Sequence, residues 1–250
     1  MKCSAIRPRL TRAFAYGTIS ILAVLSIRQL RAQSVTTQYS RMAPIEQYLM
    51  EKNGEIALAR SAAPEAISRD ATILVLGLHG YETAIQGNNG FVCMVDRGLV
   101  GFPELPEFWN PKIRGANCLN PSAARCILPL AKIRTEMALE GRTQEVMVRI
   151  RAALSSGEVP PLESGAMSYM MSKSSYLTDE HAHNHPHLMF FLSVEDPATW
   201  GAGLPGSPIG AVSYWFSSGK TNPELVGLPP IHIFSIGVSK WSDGTTARMD

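Results

Sequence analysis

Thr72-Ile73-Leu74-Val75-Leu76-Gly77-Leu78 is an apolar run of leucine and β-branched residues, bounded by Asp70 before it and Gly80 after it. Hydrophobicity this continuous and this short marks a buried strand, since a helix of comparable burial needs about ten residues or more. Residues 81–85 and 90–95 also read as extended, with Gln86-Gly87-Asn88-Asn89-Gly90 between them. An Asn/Gly cluster between extended runs is a hairpin signal. Residues 72–95 are therefore expected as two or three antiparallel strands.

Upstream, Pro44 suits the first turn of a helix, and Ile45, Tyr48, Leu49, Ile56 and Ala59 keep a helical stripe towards Pro64, with Gly54 as its weak point. Downstream, residues 98–120 are rich in Gly, Pro, Asn and aromatics (Phe102, Phe108, Trp109). They read as a long covering loop anchored by its rings, with a functional loop as the alternative. Asn120-Pro121 is an N-cap followed by an N1 proline. Ile127, Leu128, Leu130, Ile133 and Met137 carry that helix to Gly141, with a break at Pro129. Thr143 caps another helix, whose apolar face is Val146, Met147, Ile150 and Leu154. Extended segments then return at 166–172, 183–192, 211–216 and 231–238. Strands, then helices, then strands, without βαβ alternation, predict a single α+β domain: a mainly antiparallel sheet with packed helices.

The first 32 residues differ from the rest. Lys2, Arg7, Arg9 and Arg12 precede an apolar run at 13–27, and a small residue, Ala32, follows. Positive, apolar, then small is the order of a secretory signal peptide, so residues 1–32 are read as a leader and 33–250 as the exported domain, periplasmic or extracellular. An uncleaved N-terminal anchor is the lesser outcome. No membrane association is expected beyond the leader. The leader holds six of the 23 basic residues and no acid, so 33–250 keeps 17 basic against 21 acidic residues, a net charge of −4. No Lys/Arg block remains, which excludes a nucleic-acid partner. Cys93, Cys118 and Cys126 remain, enough for one bridge and one free thiol, with the pairing open.

The chemistry-bearing stretch is His181-Ala182-His183-Asn184-His185-Pro186-His187, four of the six histidines in seven residues, followed by apolar Leu188-Met189-Phe190-Phe191-Leu192. On a strand alternate residues share a face, and His-x-His pairs stand about 6.5–7 Å apart. Two imidazoles so spaced can share one ion, but four cannot. His183, His185 and His187 are thus candidate metal ligands, with His79 and His232 as further ligands. Glu82 and Asp179 are the candidate bases. Zn²⁺ is the expected metal. Pro186 cannot donate to a ladder, which predicts a sheet edge or a bulge there.

Two resemblances follow from this run. His183-x-His185, then seven residues, then Ser193-x-x-Asp196 resembles the spacing of the JAMM (MPN+) metalloprotease signature. That resemblance implies His183, His185 and Asp196 as zinc ligands, Ser193 at the oxyanion, and an upstream Glu (Glu163 or Glu82) as base. The intervening residues depart from it, since they read as a continuing strand that carries Asp196 away from His185. The His-x-His-Pro-His-Leu-Met-Phe-Phe run, with Gly80-Tyr81-Glu82 and Trp241-Ser242-Asp243-Gly244, resembles an uncharacterised family of exported bacterial proteins and implies no activity.

The functional expectation is an exported protein with a histidine-rich metal site, in its enzymatic form a metal-dependent hydrolase. The alternative is a non-catalytic exported binding protein whose histidine run buffers metal or contacts a small-molecule or peptide ligand. Nucleophile elbows, phosphate loops and His-Glu-x-x-His are absent from the sequence.

Overall fold

The buried run at 72–78 is β1 (Thr72–Gly77), one place in from the edge of a sheet whose eight strands follow the order β2-β1-β3-β4-β5-β6-β8-β7. The others are β2 (Gly80–Ile85), β3 (Val92–Asp96), β4 (Gly115–Leu119), β5 (Met167–Met170), β6 (His187–Leu192), β7 (Ile209–Phe216) and β8 (Ile231–Gly237). Every pairing is antiparallel except β1 with β3. The fold is thus α+β with a mainly antiparallel sheet. This computed structural model describes residues 39–179, 185–216, 227–228 and 230–247, and of 211–216 only the backbone. The expected leader, together with His181 and His183, lies outside the described residues. No helix among the described residues is long and apolar enough to cross a membrane.

The Asn/Gly cluster is not a hairpin. β1 lies between β2 and β3, and the tight turn is at Leu78 and His79, where Gly77 pairs with Gly80. Residues 86–89 instead pass back over the start of β1. Gly87 N donates to Thr72 Oγ1 (3.1 Å) and Asn88 N to Asp70 O (2.9 Å). A Cβ at Gly87 would fall 2.2 Å from the Ala71 carbonyl carbon, so the crossing requires glycine.

The loop expected over 98–120 contains a strand. β4 is buried at every residue, yet its Gly-Ala-Asn-Cys-Leu sequence holds no β-branched or aromatic residue, so composition conceals it. The first helix is also divided. A 3-10 turn at Ile45–Gln47 ends, Glu51 adopts an extended backbone and accepts from Gly54 N (2.9 Å), and α1 (Lys52–Arg60) begins there. After the short α2 (Glu65–Ser68), α3 (Pro121–Cys126) is capped by Asn120, whose Oδ1 accepts from Ala123 N at 2.9 Å. α4 (Leu128–Leu139) starts after a break at Ile127 with Pro129 in its first turn, where its missing N–H leaves no bond unmade. α5 (Val146–Ser156) ends on Gly157 at φ 77°.

Helices α3, α4 and α5 pack one sheet face through Ile127, Leu130, Ile150 and Phe191. α1 packs the other face, against Cys93, Val95, Ala116 and Cys118. Between the layers Glu55 and Arg97 form an ion pair (2.8 Å) with side chains 1% and 0% exposed. Glu55 also accepts from Leu76 N (3.1 Å) and Arg97 Nε donates to Tyr48 O (2.7 Å), so the buried charges are bonded on all sides. Cys93 and Cys118 face each other across β3 and β4 and form a disulfide, leaving Cys126 as a buried thiol.

Candidate functional site

β6 is an interior strand between β5 and β8 and its ladders carry no register shift, so the edge or bulge expected from Pro186 is not what the strand shows. Pro186 stands one residue ahead of the ladder, where only its carbonyl is used, accepting from Val238 N (2.9 Å). His187 therefore begins β6, paired with Met170 on one side and Gly237 on the other. His185 precedes the strand and is exposed. Burial pushes the His187 imidazole below its ordinary value, and its Nδ1 lies 2.8 Å from His185 O.

The other expected ligands are not brought to His187. His232 pairs with Leu192, at the far end of the β6–β8 ladder. Five residues of strand separate that position from His187, about 16 Å at the usual rise, and alternation puts the two on opposite faces. His79 is exposed in the β1–β2 turn. From β1 to β6 the sheet takes four steps, about 19 Å at the usual strand spacing. Glu82 is exposed on β2, at the sheet's edge. Asp179 is tied: it accepts from Tyr39 Oη (2.5 Å), Tyr176 Oη and Lys112 Nζ (3.1 Å). These donors, the tyrosines first, hold its carboxyl at about 2, too low for a base at neutral pH. Asp196 caps the following 3-10 turn by accepting from Ala198 N (2.9 Å), and Glu163 takes the Arg125 guanidinium (2.7 Å). No three His, Cys, Asp or Glu among the described residues are grouped to hold a metal ion. Register and sheet order thus place His79, Glu82 and His232 away from His187.

The sheet face that His187 shares is built differently. Alternation places Met94 and Asp96 of β3, Asn117 and Leu119 of β4, Met170 of β5 and Met189 and Phe191 of β6 on the α4 side. Between these strands, α4 and the segment at 100–105 lies a cavity of about 260 Å³. Its wall is apolar except for Asp96, Asn117 and Arg134. From α4, Ile127, Ala131 and Arg134 face it at helical spacing. Phe102 and Leu105 line its loop side, so part of the aromatic-bearing loop borders a space rather than a solid core.

The three polar side chains are arranged unequally. Asn117 is 7% exposed, and its Nδ2 donates to Asp96 Oδ2 (2.8 Å) while its Oδ1 is buried without a partner. Desolvation raises the Asp96 carboxyl to about 6, against the opposing pull of the Asn117 bond and the Arg97 charge. Gly115 faces Asp96 across the ladder, and a Cβ there would lie 2.9 Å from Leu177 Cδ2 and 3.2 Å from Met170 Cε. The Arg134 guanidinium lies 4.2 Å from the Phe102 ring centre, and its Nη1 donates to Val100 O (3.2 Å). A concave apolar space with a few placed polar groups and a perturbed carboxyl has the makeup of a small-molecule site.

Sequence reasoning missed all three. The signals were present: Arg134 stands in line with Ile127 and Ala131, and Asp96 and Asn117 occupy inward positions next to Met94 and Leu119. A polar residue inside an apolar period is what such a site leaves in a sequence. Comparison with known proteins leaves the geometry to stand alone: no family model, no curated protein and no solved structure matches the chain.

Proposed function

We propose that this chain is a non-catalytic, exported binding protein for a small, mostly apolar molecule. The observation that carries the reading is the cavity between β3–β6 and α4, apolar but for Asp96, Asn117 and Arg134. Its volume of about 260 Å³ suits a ligand of roughly ten non-hydrogen atoms, on the scale of 150 Å³ for one benzene. Burying such a ligand removes its surface from water, which drives binding, while the polar groups orient it. The Cys93–Cys118 bridge supports an oxidising compartment, in keeping with the leader-like residues 1–32. The test is Ala131→Phe, which puts a ring into the cavity from α4. Wild type should bind small aromatic probes by calorimetry, and the folded variant should not. Equal binding by both proteins removes the reading.

A second proposal, metal binding at the histidine run, rests on His185 and His187. His187 is half-buried, and desolvation lowers the pKa of its ring, which favours the neutral form that ligates Zn²⁺. Hydrolysis at such an ion is part of that proposal and needs ligands from 181–183. Metal analysis of untagged protein tests it: no stoichiometric ion, or an ion unaffected by His185→Ala with His187→Ala, ends it.

A further inference from the structure

We infer that the cavity selects an aromatic ring over a saturated ring of the same outline, and that its methionines make the selection. This rests on the cavity reading above and adds the class of ligand. Alternation sends Met94 from β3, Met170 from β5 and Met189 from β6 to the α4 side of the sheet, and all three line the cavity. The other face of β3 and β4, packed on α1, is built from Cys93, Val95, Ala116 and Cys118. Gly115 of β4 leaves room for the reach of Met170. The point where a Cβ would stand is 3.2 Å from Met170 Cε and 3.6 Å from Asp96 Cβ. The thioether end of Met170 therefore lies over β4, on the way to β3.

A ligand ring in this space meets sulfur and π surfaces together. Phe191 reaches the cavity from β6 and Phe102 from the loop. Thioether sulfur is attracted to an aromatic ring, and ring–ring contacts add to what area burial supplies. A saturated ring makes neither interaction. Charge does not decide the ligand. The lining holds one carboxyl, Asp96, bonded by Asn117 Nδ2 (2.8 Å). It also holds one guanidinium, Arg134, set against the Phe102 ring (4.2 Å) and Val100 O (3.2 Å). Opposite charges on one lining favour neither sign of ligand charge, so discrimination falls to the apolar part. Plain apolar burial makes the opposite prediction. A cyclohexyl group has more surface to remove from water than a phenyl group, so on area alone it binds more tightly. The sign of the preference separates the two accounts.

The experiment is calorimetric titration of the full-length chain at pH 7.5 with two matched pairs: 2-phenylethanol against 2-cyclohexylethanol, and benzyl alcohol against cyclohexylmethanol. The phenyl member of each pair should bind about threefold or more tighter. Met94→Leu with Met170→Leu and Met189→Leu keeps the lining apolar and near its volume while removing the sulfurs. This variant, first shown to be folded by circular dichroism, should lose the phenyl preference and hold the cyclohexyl members within about twofold of wild type. If the cyclohexyl member matches or exceeds the phenyl member in wild type, the inference is overturned while the cavity reading stands. A folded triple variant that keeps the full preference overturns it as well. Should the triple variant not fold, Met170→Leu alone should lower the preference, and an unchanged preference there overturns the inference. If no probe binds, the inference and the cavity reading are both overturned.

Discussion

Asn117 Nδ2 reaches Asp96 Oδ2 at 2.8 Å, across the shared ladder of β3 and β4 and one pleat from Met94. Two polar side chains thus stand on the otherwise apolar sheet wall of the cavity, joined by one hydrogen bond. The carboxyl accepts the amide's donor, and the amide oxygen is buried without a hydrogen-bond partner.

The first prediction concerns Asp96 and pH. Its carboxyl titrates at about 6 in the folded chain against an ordinary 3.8. The folded state therefore holds this proton more tightly than the unfolded state does. The resulting stability is complete below about pH 4 and is lost as pH rises through about 6. At pH 8 the half-buried carboxylate costs on the order of 1–3 kcal/mol. Asp96→Asn keeps an acceptor for Asn117 and removes the charge. Its urea midpoint should exceed that of wild type at pH 8 and converge with it near pH 4; a difference that does not change with pH sinks the assignment.

The Glu55–Arg97 pair gives the second. Removing one partner leaves the other charge buried at 0–1% exposure. Glu55→Ala should lower stability by about 3–5 kcal/mol, and Arg97→Met added to it should recover part of that loss. Chemical denaturation of both variants measures the difference. A double variant no more stable than Glu55→Ala would falsify the buried-pair account.

The disulfide supplies the third. Cys93 and Cys118 close a loop with a sequence separation of 25. Cys93→Ala with Cys118→Ala should cost about 3 kcal/mol, read from the denaturation midpoint. Cys126, buried in α3, should react with iodoacetamide only after unfolding, as peptide mapping will show. Labelling of Cys93 in the unreduced native protein contradicts the pairing.

The fourth separates the histidines. His79 stands in the β1–β2 turn, and His232 on the opposite sheet face from His187. Any Zn²⁺ retained by untagged protein should be unchanged in His79→Ala and His232→Ala. Loss of the metal in either variant shows that ligands converge in a way the register forbids.

Much of the fold is legible in the residues. β1 is a short run of Leu, Val and Ile, α3 carries its own Asn120-Pro121 start, and the strands β5 to β8 fall in the expected segments. β4 is not legible, because Gly, Ala, Asn and Cys have no strand preference of their own and gain their place only from burial on both faces. The distant partners expected for the histidine run were not legible for a related reason. Four histidines in seven residues are a loud local signal, but a metal site is a convergence of distant residues, and local spacing fixes only one pair of them.

The sequence by itself determined the class: strand and helix periods, caps and breakers are local, and they sum to an α+β chain with an antiparallel sheet. It also determined that β6 turns apolar after His187, since alternation and hydrophobicity lie within that one segment. Tertiary structure alone decided that β1 lies between β2 and β3, that β6 is interior, and that His79, His187 and His232 are apart. It alone brought Asp96, Asn117 and Arg134 to one cavity. Strand order and register are set by which faces bury together over the whole chain, a non-local free energy that no single stretch of residues carries.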